Sequence, residues 1–215
     1  MSRNWLATTT FFILSMFLIG AWGMWCLPQS ARVAIHFDLS GAPDQWANAW
    51  PGLFILPAVT IFIAFLLSIL PLTGARGSAL RGSQAYETIA LAVIVVMALT
   101  QFLLVAFALG FVANAVRFLT ALMGGIFVVL GNVLGKVRRN MWVGIRIPWT
   151  LADEDNWDKT NRYAGRLMVI VGATLFVAAF ALPELYGVGA ILLAAGIITI
   201  LPIIRSYRLS REQPP

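Results

Sequence analysis

The residues of this chain equipped for chemistry or recognition fall in two short stretches. One is Gly144-Ile145-Arg146-Ile147-Pro148-Trp149-Thr150, continued by Asp153, Trp157, Thr160, Asn161, Arg162 and Gly165. It combines permanent cations, indole N–H donors and hydroxyls with chain-turning Pro and Gly. That is the equipment of a contact surface rather than of a nucleophilic centre. The other is His36-Phe37-Asp38, continued through Pro43, Asp44 and Trp46. One imidazole and two carboxylates across a turn resemble part of a metal site. A stable site takes about four ligands of this kind, and His36 is the only histidine, so no metal is expected. An ordered cap able to contact a ligand fits these residues better. No HExxH, GxSxG or Walker loop occurs. No catalytic residue and no cofactor is therefore assigned, and the protein is not expected to be an enzyme.

The elements that must hold these stretches are dictated by composition. The chain is 60% hydrophobic and 11% charged, where a soluble domain carries about 25% charged residues. A bilayer core of ~30 Å is crossed by about 20 apolar residues in a helix. Six stretches meet that length: Trp5–Leu27, Pro51–Leu70, Thr88–Phe111, Phe118–Gly135, Tyr163–Leu182 and Gly187–Ile204. None alternates like a barrel strand, so backbone groups must be satisfied within helices. The expected fold is an all-α integral membrane protein with six transmembrane helices. The first span is too long for the ~7–15-residue apolar core of a signal peptide and is expected to stay as an anchor. Cys26, the one cysteine, excludes an internal disulfide and is expected to be a small packing residue.

Charge orients the bundle. With both termini in the cytoplasm, only Arg32 and Arg117 of the 15 Lys and Arg lie outside, as the positive-inside rule requires. The net charge of +6 follows from topology and from attraction to anionic membrane lipids, and no direct nucleic-acid binding is expected. The domain reading is a two-helix region over residues 1–71 with an extracytoplasmic loop at 28–50. A Gly/Ser-rich cytoplasmic linker follows at 72–87. A four-helix region spans 88–204 with a cytoplasmic loop at 136–162, and a basic tail expected to fray occupies 205–215. The connections near Ala113 and Glu184 read as tight hairpins. The two long loops occupy matching places in opposed three-helix halves, a pattern that an inverted repeat would produce.

In the inner loop, Pro148 disfavours α geometry at Ile147 and turns the chain. Thr150-Leu151-Ala152-Asp153 reads as a helix start, with the Thr150 hydroxyl as cap and acids in the first turn. This predicts a short amphipathic surface helix over roughly Leu151 to Arg162, with Asp158 and Arg162 paired four residues apart. Trp157 is expected to face the bilayer or the bundle. Arg146, Lys159, Arg162 and Arg166 would oppose an anionic cluster of Asp153, Glu154, Asp155 and Asp158.

Polar residues inside the spans are few: Gln101 in the third and Asn132 in the fourth. No ionisable group stands near a midplane, which argues against a proton-coupled pump. Gly131 and Gly135 form a small-xxx-small face for helix packing, to which Asn132 is expected to add an interhelical hydrogen bond. A small transporter or channel using Gln101 and Asn132 is the alternative reading, and a structural factor without a ligand is a third.

The inner stretch from Asn140 through Gly144, Arg146, Pro148, Trp149, Thr150 and Leu151, with Trp157, Thr160, Arg162 and Gly165, resembles the signature of the SdpI-like family. These are bacterial membrane proteins named for immunity to a sporulation-delaying peptide toxin. The family pattern is close to N-x-x-x-G-x-R-T-P-W-T-L, then W-x-x-T-H-R-x-A-G. The outer stretch from His36 to Trp46 is similar to a small domain of unknown function that often precedes it. Two positions depart from the pattern: Ile147 stands for Thr, and Asn161 for His. The resemblance implies protection against a secreted peptide toxin and sequestration of a cytosolic helix-turn-helix repressor. It places Gly144, Arg146, Pro148, Trp149, Thr150, Trp157, Arg162 and Gly165 in the characteristic, partner-binding region.

Overall fold

In the computed structural model, which describes residues 2–38, 42–73, 82–112, 115–140 and 142–212, the apolar stretches form helices. The order is α1 (Arg3–Cys26), strands β1 (Arg32–Phe37) and β2 (Pro43–Asn48), then α2 (Ala49–Ile69), α3 (Gln84–Ala108) and α4 (Ala115–Leu134). The five-residue α5 (Pro148–Ala152), α6 (Glu154–Ala181) and α7 (Gly187–Glu212) follow. Short 3-10 turns stand at Leu70–Leu72 and Glu184–Tyr186. Six helices are long and apolar enough to cross a membrane. Their outer faces expose large apolar side chains such as Phe11, Leu18, Ile170 and Leu193, each about two-thirds exposed. Such a surface belongs in hydrocarbon, and the protein is a multi-pass membrane protein.

The helices pack as two three-helix groups. α1, α2 and α3 contact one another, α4, α6 and α7 form the second group, and α3 against α4 joins them. The tightest pairing is α4 with α6. Gly131 and Gly165 meet there so closely that a Cβ on either would stand 2.6 Å from the other's carbonyl oxygen. Two turns on, Gly124 and Gly172 repeat the contact at 2.7 Å. Without side chains the two backbones approach closely, the packing available to helices in lipid, where apolar surface alone drives no association. Asn132 adds no bond across this seam: its amide donates to Val128 O, one turn back on its own helix, at 2.9 Å. Its side chain is exposed on α4, so the nearest carbonyl it reaches is its own helix's.

The first long connection is a β-hairpin. β1 and β2 pair antiparallel from Arg32↔Asn48 to Phe37↔Pro43, with irregular register around His36. Val33 and Ala34 are buried. Val33 joins Leu53 and Val105 in a small core that fastens the hairpin over the ends of α1, α2 and α3, and Phe37 meets Phe107 edge-on at 5.1 Å. The hairpin thus plugs one end of the first helix group. Leu39 to Gly41, the tip of the expected turn, lies outside the described residues, as do Arg76 and Arg81 of the 72–87 linker, Ala113, and the last three residues of the tail.

Three further expectations are corrected. The inner loop does not carry a separate surface helix over Leu151 to Arg162. α5 stops at Ala152, and α6 runs unbroken from Glu154 to Ala181. Neither Pro nor a chain-turning Gly interrupts residues 154–163, and Asp153, not Thr150, caps the helix by accepting from Asn156 N at 2.7 Å. The tail does not fray at Arg205. α7 continues to Glu212, helped by Arg211 donating to the Tyr207 hydroxyl one turn back. Cys26, at the last turn of α1, is exposed rather than packed.

Candidate functional site

The loop between α4 and α6 is built around Trp157. Its ring is fully buried, packed with Val133 and Val137 and flanked by Ala85, Ile89, Val143 and Leu151. Its indole N–H donates to Val137 O at 2.9 Å, so the one polar atom of a buried indole is satisfied. The loop lies over this ring with Gly144 at φ +130°. A Cβ on Gly144 would stand 2.6 Å from Trp157 Cη2 and 2.9 Å from Asn161 Oδ1. Both the dihedral and the space require glycine.

Hydrogen bonds from side chains replace the ladder that the irregular backbone lacks. Asn161 accepts from Ile145 N at 2.8 Å and donates to Trp157 O at 2.9 Å. The Thr150 hydroxyl accepts from Ile147 N at 3.1 Å and has Ile145 O at 2.7 Å as its nearest acceptor. Asn140 accepts from Trp142 N and Val143 N at 2.7 and 2.8 Å, and donates to Arg138 O and Val143 O. Thr150 and Asn161 are almost wholly buried, Asn140 nearly so. A buried backbone group left unpaired costs about 1–3 kcal/mol, so these side chains hold the loop in one shape.

A second buried polar cluster ties α6 to α7. Asn156 accepts from the Ser206 hydroxyl at 2.7 Å and the Thr160 hydroxyl at 3.0 Å, and donates to Ser206 O at 3.0 Å. Asn156 and Ser206 are 50 residues apart, so no local pattern announces them. Trp149 meets Tyr207 edge-on at 5.2 Å, closing α5 onto α7.

The expected signature residues therefore divide. Thr150, Trp157 and Gly165 are buried in the interior of the loop and the helix seam, and Gly144 is half-buried against the indole. Arg146, Pro148 and Arg162 are exposed, and Trp149 is half-buried. Exposed Trp142 and Arg138 extend this outer face. Arg162 pairs with Asp158 at 3.3 Å and Lys159 with Asp155 at 2.6 Å, but Arg146 and Arg166 join neither acid among the described residues. Between this loop and the start of α3 lies a cavity of about 460 Å³ bordered by Ser83, Tyr86, Lys136, Arg138 and Asn140.

These residues lie in the segment that matches a known family: residues 136–206 fit the SdpI/YfhL protein family. Over that third of its length the chain is similar to the SdpI/YfhL family. Residues 11–61 also fit a domain of unknown function, DUF1648. The chain is 26% identical over 143 residues to Immunity protein SdpI of Bacillus subtilis (strain 168), covering 64% of this chain and 69% of that protein. No solved structure matches it. The SdpI segment begins two residues after α4 and takes in the loop, α5, α6 and most of α7, which is the unit held together by Trp157 and by Asn156–Ser206.

At the opposite end of the bundle, His36 Nδ1 lies 2.7 Å from Asp44 Oδ1 on the outer face of the hairpin. Asp38 closes the turn instead, its carboxylate accepting from Ala42 N at 3.0 Å. Among the described residues no three metal-ligating side chains converge. Pro43 opens β2, and Trp46 is 43% exposed. The two polar residues of the spans are not brought together. Gln101 is buried, donating to Leu53 O at 2.9 Å across to α2, whereas Asn132 faces outward from α4.

Proposed function

We propose that this protein is a membrane immunity protein that protects its cell from a secreted peptide toxin. The observation that carries the reading is the SdpI/YfhL match over the loop and its supporting helices, together with the similarity to Immunity protein SdpI. The distribution of charge supports an orientation in which the hairpin faces outside. Arg32 and Arg117 stand at the hairpin end, and the other described Lys and Arg stand toward the loop end, which the positive-inside rule assigns to the cytoplasm. In that orientation the hairpin, with His36, Asp44 and Trp46 exposed, meets the toxin. The exposed Arg138, Trp142 and Arg146, with the half-buried Trp149, form the face offered to a cytosolic helix-turn-helix repressor. A rigid loop with fixed cations and indoles suits binding rather than catalysis, since recognition surfaces favour Arg and Trp in preorganised positions.

The test is protection. A toxin-sensitive strain expressing the protein is challenged with toxin-secreting neighbours. Survival well above the empty-vector control is expected, and killing at the control rate with the protein present in the membrane refutes the reading. Affinity purification from the native cell tests the finer claim. A small DNA-binding protein should co-purify with wild type and be lost from an Arg146→Ala/Trp149→Ala variant.

A further inference from the structure

On the flank of the α4–α6 seam lies an open groove of about 480 Å³ that the immunity reading does not use. Its α6 wall is Arg162, Gly165, Arg166, Val169 and Ile170. The spacing i, i+3, i+4, i+7, i+8 puts all five on one helix face. Lys136 closes it from the end of α4. The groove is graded. Its three cations gather at the end nearer the loop, and one turn further along, about 5.4 Å, the wall becomes Val169 and Ile170. Ile170 is 65% exposed, on a helix whose outer surface belongs in lipid.

Charge on this wall is not neutralised from within. Among the described residues neither Lys136 nor Arg166 pairs with a carboxylate. The Arg162–Asp158 pair is long at 3.3 Å, with both side chains at least half exposed, the kind of surface pair that contributes little. The α4 side is Gly131, Asn132 and Gly135, so the short Asn132 amide is the one side chain from that helix beside the cations. A cluster of cations at headgroup level, opening onto an apolar wall at acyl depth, is complementary to one amphiphile: an anionic head with a hydrocarbon tail.

We propose that this groove is a binding site for an anionic glycerophospholipid. Lys136, Arg162 and Arg166 hold the phosphodiester, and one acyl chain lies along Val169 and Ile170. A bound lipid there bridges α4 and α6 beside the glycine seam and neutralises the cations that adjoin the loop. The inference does not depend on the immunity reading.

The experiment uses the purified full-length protein in nanodiscs or mild detergent, with native mass spectrometry as the readout. Phosphatidylglycerol is compared with phosphatidylcholine of the same chain length. The expected result is retention of one or two phosphatidylglycerol molecules under conditions that strip phosphatidylcholine. Lys136→Gln/Arg166→Gln should weaken that retention by roughly thirtyfold, the order set by loss of two near-surface cations. Arg3→Gln/Arg208→Gln, which removes the same charge elsewhere, should leave it unchanged. Equal retention of the two lipids by wild type overturns the proposal, even if the groove variant fails to fold. So does an equal loss in the two double variants, which would mean only diffuse attraction. Displacement of the lipid by millimolar glycerol phosphate would mean a small-anion site and would also overturn it.

Discussion

The α-carbon of Gly144 lies against the edge of the Trp157 indole so closely that a β-carbon would overlap Cη2, at 2.6 Å. The ring is fully buried, and its N–H is held by Val137 O, so it has nowhere to withdraw. The loop's path and the indole's position are therefore set together. The irregular segment that carries Arg146 and Trp149 is as well specified as the helices around it.

Gly144→Ala should destabilise the protein by roughly 2–4 kcal/mol, from the left-handed backbone and the overpacked ring combined. Thermal unfolding in detergent, followed by intrinsic Trp fluorescence, measures it. A change below about 0.5 kcal/mol, the level of an ordinary surface substitution, would show that the loop has another way to lie.

At the helix seam, Gly165→Leu should prevent α4 and α6 from closing, because the added side chain meets Gly131 O at backbone distance. Size-exclusion chromatography of a fluorescent fusion should show loss of the monodisperse peak. Gly125→Leu is the control: nothing lies within 4 Å of a Cβ there, and the peak should persist.

Thr150 separates hydroxyl from shape. Thr150→Ser keeps the oxygen that accepts from Ile147 N and faces Ile145 O, and should stay within about 1 kcal/mol of wild type. Thr150→Val keeps the volume but leaves buried backbone groups unpaired, and should cost about 1–3 kcal/mol. Unfolding midpoints of the pair decide it.

Asn161→Asp should make stability depend on pH. The carboxyl can still accept from Ile145 N, but in its charged form it opposes Trp157 O, to which the Asn161 amide donates. Burial and that carbonyl favour the neutral acid and raise its native pKa. The variant should be closest to wild type in acid and lose stability as pH rises from the unfolded carboxyl's pKa through the native one. Unfolding midpoints between pH 4 and 8 that track wild type would contradict this.

Arg146→Ala/Trp149→Ala should leave the fold nearly intact, because Arg146 is exposed and Trp149 gives up one edge contact with Tyr207, worth about 0.5–1.5 kcal/mol. Protection or repressor capture should fall if this face is the functional one. Unfolding and challenge assays on the same preparation separate the two outcomes.

The membrane class and six spans were legible from apolar run length, because lipid leaves the backbone no alternative to internal hydrogen bonding. The likeness to the SdpI/YfhL family was legible from Gly144 to Gly165, because that stretch departs from lipid-like composition. The Asp158–Arg162 pair was legible too, since it depends only on helical spacing. Helix ends were less so. Thr150 and Asp153 both have capping side chains, and only the demand of Ile145 and Ile147 for the Thr150 hydroxyl left Asp153 to start α6.

By itself, the sequence determined what each residue was able to do: cross lipid, turn, donate, accept or carry charge. Tertiary structure decided which of those abilities was consumed inside the protein. Trp157, Thr150 and Asn161 spend their polar groups on the loop backbone, and Asn156 spends its own on Ser206. Gly165 is matched to Gly131, and Gly172 to Gly124. Each of these depends on a partner brought close by packing of helices far apart in the chain. What remains unspent on the surface, Arg146 on the loop and Lys136 with Arg166 in the groove, is where the protein is free to meet something else.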